Sequence, residues 1–298
     1  MQIVIKQLSI LYVFLFVGWL IGKLKRDVAS RADILSVLLV NIFLPCKVFN
    51  TFANNFSFSY FSNHYIVLLA ALVLLSVLII ISKFIPRFLT QNEYEQKILS
   101  YSFVITNYAY LGYTLIASVF GENVLARFML FAIPFIVYTY TVGYTQLTGH
   151  INANKTLINP ITVAIVLGIF VGLLNIPLPE VVTSVTSMAS ACVGPQSMLL
   201  TGITLSTFSI KEMITDKTAY VFSALRLVVI PALVYLVCRV LMIESILPML
   251  LIITCMPCGL NTIVFPKLVG KDCNLGARLA LITHIFSVIT VPFWLSLI

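Results

Sequence analysis

The chain has 298 residues, 60% of them apolar and only 9% charged, with a mean hydropathy of +1.08. So little polar surface cannot cover a soluble globule of this length, which excludes a water-soluble enzyme or binding domain and leaves an integral membrane protein. The net charge of +8 does not point to nucleic acid, because the basic residues fall in short groups between apolar runs, where lipid headgroups account for them.

Apolar runs long enough for membrane helices, about 20 residues each, are read at residues 3–24, 34–52, 63–85, 97–119, 124–147, 159–176, 182–206, 218–239, 246–268 and 275–298. Runs such as 66–81 do not alternate apolar with polar residues, so the ten segments predict an all-α bundle rather than a barrel. Almost no chain remains for a separate soluble domain. Segment one lacks a basic stretch before it and an Ala-x-Ala site, and is expected to be retained rather than removed as a signal peptide.

Segment one contains "VGWLIG", with Gly18 and Gly22, and segment six contains "LGIFVG", with Gly168 and Gly172 at an offset of 150. Pro45 in segment two and Pro195 in segment seven share that offset, while Gly121 and Gly270 are 149 apart and Arg127 and Arg278 are 151 apart. The expectation is two repeats, 1–147 and 159–298, joined by a cytoplasmic linker at 148–158 within the polar stretch "LTGHINANKTLINP". Five helices in each half force the second to enter the membrane inverted. Glycine pairs and mid-helix prolines are also common in membrane helices for ordinary packing.

Segments four and nine break their own apolar pattern, with "TNYAYLGYTLI" from Thr106 and "CMPCGLNTIVF" from Cys255. An unpaired backbone group in hydrocarbon costs several kcal/mol, so such breaks survive only against protein or water and mark a cavity. Half-helices beginning near Gly112 and Gly259 would aim two positive ends at one place, with the amides of Asn107 and Asn261 as donors. The candidate substrate site is Asn107, Gly112, Tyr113, Thr114, Pro257, Gly259, Asn261 and Thr262. The alternative reading of each asparagine is that its amide only satisfies carbonyls freed by its own break.

All ten carboxylates fall in loops or at segment ends, so the expected substrate is anionic or neutral rather than cationic. Three ionisable residues remain inside apolar runs. Arg226 is expected to snorkel or form a structural pair, with attraction of substrate as the alternative. His284 is read as a neutral residue bonded to a neighbouring helix, with proton transfer as the alternative. Lys47 is expected to snorkel. Sodium or protons are the conceivable coupling ions, and no cofactor or metal is expected. The Cys255 and Cys258 pair has CxxC spacing but no companion cysteine pair or histidine cluster, so packing explains it better than redox or metal chemistry.

With segment one starting outside, 13 of the 18 basic residues fall on the inner side, from which both termini are expected to lie outside the cell membrane. No HExxH pair, buried aspartate pair or Gly-x-Ser-x-Gly elbow suggests an enzyme. A gated channel, an uncoupled uniporter and a carboxylate sensor are the alternatives to a carrier.

These residues resemble the auxin efflux carrier family, whose bacterial members include proteins described as malonate and malate permeases. "NYAYLGYTLI" is similar to that family's Asn-Thr-Gly-Phe-Leu-Gly-x-Pro segment through Asn107, Leu111 and Gly112, and "MPCGLNTIVFPKLVG" to its Met-Pro-x-x-x-Asn segment through Met256, Pro257 and Asn261. "VGPQSMLLTG" and "SVITVPF" are weaker matches. The resemblance implies ten helices in two inverted repeats with segments four and nine crossing at mid-membrane. It also implies a dimerising scaffold of segments one, two, six and seven, and a mobile transport domain of segments three to five and eight to ten. Carboxylate transport by an elevator-like movement, with both crossover asparagines on the substrate, is the implied function. Tyr108 and Ala109 replace the family's first crossover glycine, Tyr113 and Thr114 stand where proline is common, and His284 stands where a small hydroxyl residue is expected. The tyrosines Tyr108, Tyr110 and Tyr113 would either select an aromatic acid or pack the crossover.

Overall fold

The computed structural model describes residues 2–150 and 159–298, so most of the predicted 148–158 linker, with Lys155, lies outside the described residues. Among the described residues all regular structure is helical. We number the main helices α1 (Gln2–Leu24), α2 (Ala32–Asn55), α3 (Phe58–Leu89), α4 (Glu93–Val104), α5 (Tyr108–Phe120), α6 (Glu122–Thr148), α7 (Pro160–Leu173), α8 (Glu180–Ser206), α9 (Lys217–Val240), α10 (Leu247–Cys255), α11 (Asn261–Leu268) and α12 (Asn274–Leu295). Six of these, α1, α2, α3, α6, α9 and α12, are long and apolar enough to cross a membrane, and α5 and α7 are shorter apolar helices.

Helix boundaries follow local chemistry. Ser57, Asn92, Asn159 and Asp216 each accept a backbone N–H in the first turn of the helix that follows them. Gly121 and Gly270 close the two broken segments with φ of 83° and 67°, in the left-handed region that other residues enter at a cost.

Two packing groups emerge. In one, α1 lies along α8, and α2 packs on both α7 and α8; in the other, α3 to α6 pack together, as do α9, α10 and α12. The glycines explain the close approach in the first group. A Cβ at Gly202 would collide with the Leu15 carbonyl and Trp19 backbone of α1, and one at Gly18 with the Leu199 backbone of α8. Gly168 and Gly172 face the Phe49, Phe52 and Phe56 stretch of α2 in the same way. The glycine pairs thus serve contacts inside one protomer, where small residues let helix backbones approach.

Lys47 does not snorkel: it is only 8% exposed, on the buried face of α2 with Leu44, Val48 and Thr51, and Glu122 at the start of α6 is its electrostatic neighbour. Among the described residues only two ion pairs form, Arg239 with Glu244 and Arg278 with Asp216.

Candidate functional site

Segments four and nine are divided, as their polar interruptions predict. Ile105 leaves α4 in extended conformation, Met256 leaves α10 likewise, and the two links cross through an antiparallel bridge between Thr106 and Cys258. The Asn107 backbone N–H donates to the Pro257 carbonyl at 2.7 Å. Proline reinforces the break, since it restricts the residue before it to extended backbone. Gly259 eases the crossing: a Cβ there would lie 3.3 Å from the Thr106 carbonyl oxygen, tighter than ordinary contact, so the neighbouring link would have to give by a few tenths of an ångström.

The half-helices start at Tyr108 and Asn261, so the first begins a turn before Gly112 and the second two residues after Gly259. Residues 108–112 form a widened π turn whose Leu111 and Gly112 N–H groups both donate to the Asn107 carbonyl. Such turns re-aim side chains and recur at functional sites. A second π turn, 139–143 in α6, brings Thr139 and Tyr140 to the same place.

Between these ends is a cavity of about 40 Å³. Its floor includes both helix starts, Tyr108 to Tyr110 and Gly259 to Asn261, with Leu44 and Ile161 from α2 and α7 closing it. Asn107, Tyr113, Gly259 and Asn261 line it; of the other candidates, Gly112, Thr114, Pro257 and Thr262 do not. Thr114 faces Gly194 of α8, and Thr262 donates to the Gly259 carbonyl and packs on Gly276. No carboxylate lines the cavity. The Tyr113 hydroxyl is buried and has no hydrogen-bond partner.

The two asparagines are differently employed. Asn261 Nδ2 donates to the Tyr101 hydroxyl at 3.1 Å. Asn107 Nδ2 lies 3.2 Å from His284 Nε2, while its Oδ1 accepts weakly from Leu111 N–H at 3.4 Å. His284 Nδ1 lies 2.7 Å from the Ala280 carbonyl, which can only accept; Nδ1 therefore carries the proton and Nε2 accepts from Asn107. The adjacent Thr283 accepts from Cys258 N–H at 3.0 Å. Successive residues of α12 thus hold the two crossing links, one each.

Sequence reasoning missed Tyr101, Thr139, Tyr140 and Thr283, because each lies in a run whose apolar pattern it does not break. Arg226, expected to snorkel or to form a structural pair, does not snorkel: it is fully buried, with both terminal nitrogens on carbonyls at the end of α10. Cys255 and Cys258 are free and buried, and no group of side chains suited to a metal occurs among the described residues.

Comparison with family models matches the chain to the family described as membrane transport protein, over residues 3–154 and 145–295. The chain belongs to this family, the auxin efflux carriers. It is a multi-pass membrane transport protein. A search of curated proteins returns no match.

Proposed function

We propose that this chain is a secondary transporter of small organic anions, carboxylates in particular, across the cell membrane. The reading rests on one observation above the others: the cavity at the crossing lies at the starts of two half-helices, is lined by no carboxylate, and has in its wall Tyr113, whose buried hydroxyl has no hydrogen-bond partner. Each helix start carries about half a positive charge. Free N–H groups there, with the Asn261 amide and the Tyr113 hydroxyl, form a donor set for an anion.

Alternating access fits this site better than an open pore. A cavity of 40 Å³ holds a few waters but not a dicarboxylate, so the substrate enters only when the walls separate. Leu44 and Ile161 belong to one packing group, and the crossing links to the other. Sliding one group against the other would open the cavity to either side, as in an elevator built from ten membrane segments in two inverted repeats. A dimer held by α1, α2, α7 and α8 would give the moving part a fixed reference, with both termini outside the cell.

Counterflow of labelled mono- and dicarboxylates into liposomes holding the purified protein, with and without sodium and pH gradients, tests the reading. Asn261→Asp keeps a group that can bond the Tyr101 hydroxyl, now as acceptor, but places negative charge in the cavity. It is expected to abolish exchange of any carboxylate the parent carries. Tyr113→Phe removes a hydroxyl with no protein partner, so stability should hold while half-saturation rises about tenfold, the worth of one hydrogen bond to a charged group. No saturable exchange of any carboxylate, or parental exchange by folded Asn261→Asp, would reject the site.

A further inference from the structure

Arg226 is the largest side chain that is completely buried. It lies in a π turn of α9, residues 225–229, whose Leu227 carbonyl is taken by Trp294 Nε1 of α12 at 2.7 Å. Its Nη1 donates to the Thr254 carbonyl at 2.8 Å and its Nη2 to the Ile253 carbonyl at 3.2 Å, while Nε has no partner. Neither ion pair among the described residues involves it. A guanidinium stays charged, so a permanent cation sits inside the protein with no carboxylate bonded to it.

What it faces is the C-terminal end of a half-helix. The last carbonyls of α10 have no intrahelical donors and carry the negative end of the helix dipole. The Thr106 hydroxyl from the other crossing link donates to the same Ile253 carbonyl at 3.1 Å. Two backbone carbonyls and a threonine oxygen converge where α10 stops. Unwound carbonyls at half-helix ends are the oxygen donors with which membrane carriers coordinate a small cation.

We propose that the end of α10 is a cation site which this chain fills with its own guanidinium, Arg226, in the place a free cation such as sodium would take. Arg226 is then a positioning residue. Its charge holds the α10 end, and through it the Thr106 to Cys258 crossing, without an ion from solution. The consequence for transport, which rests on the carrier reading, is that this end of the crossover offers no seat for a coupling sodium ion.

Melting of the purified protein in detergent, which requires no substrate, tests the proposal apart from the transport reading. The parent, Arg226→Lys and Arg226→Met are compared in sodium chloride, choline chloride, and choline chloride with methylguanidinium well below denaturing concentration. The parent should be indifferent to the exchange of sodium for choline. Arg226→Lys should melt close to the parent, whereas Arg226→Met should melt lower and recover by about 3 °C or more in methylguanidinium or sodium. Sodium-dependent stability of the parent would overturn the proposal, as would an Arg226→Met protein that melts like the parent or ignores both cations. If neither variant folds under any of the three conditions, the shape of the guanidinium rather than its charge is what α10 requires, and the proposal fails.

Discussion

The bond between Asn107 and His284 ties the first crossing link to α12, and a double-mutant cycle measures what that tie contributes. Asn107 is 2% exposed and His284 also 2%, so neither group finds water when its partner is removed. Asn107→Ala takes away the donor at 3.2 Å and leaves the Nε2 lone pair buried and unpaired, a loss of about 1 to 3 kcal/mol. The 3.4 Å contact to Leu111 N–H adds little, because its geometry is long and the same N–H also reaches the Asn107 backbone carbonyl. His284→Ala orphans the amide in turn and opens a cavity beside Tyr12, whose ring meets the imidazole edge-on at 6.2 Å. In the double variant the unpaired groups disappear together. The two losses should therefore fall short of additivity by roughly 1 to 2 kcal/mol, as for residues sharing one bond. Thermal melts of the four detergent-solubilised proteins read this as a deficit of about 2 to 4 °C per kcal/mol. Additivity within about 0.5 kcal/mol would refute the tie.

Gly202→Leu must push α1 away from α8, because even a Cβ there overlaps the Leu15 carbonyl; destabilisation of about 3 kcal/mol or more, or loss of the folded protein, is expected in the same melts. Gly112→Ala, whose Cβ would meet nothing nearer than 3.7 Å, serves as the tolerated control. Single cysteines replacing Leu24 and Glu212 in a background free of other reactive cysteines should resist an impermeant maleimide applied outside cells, whereas Glu180→Cys should react. Outside labelling at Leu24→Cys and Glu212→Cys would reverse the proposed orientation.

Composition alone determined that the chain belongs in a bilayer, since 9% charged residues cannot solvate 298 residues of folded surface. The two breaks were also legible, because Asn107, Pro257, Gly259 and Asn261 interrupt apolar runs that hydrocarbon would otherwise favour. Gly121 and Gly270, one after each broken segment, both turn the chain with positive φ, a backbone conformation that glycine adopts most readily. Tertiary structure decided what pattern cannot carry. Thr283, His284, Tyr101 and Tyr140 lie far along the chain from the breaks they serve, and nothing in their own segments says which neighbour they will face. Arg226 shows the limit most clearly. Read along the sequence it is a long basic side chain that could snorkel, pair within the protein or attract substrate; in the folded protein the unpaired carbonyls at the end of α10 hold it, and only the packing of α9 on α10 puts them within its reach.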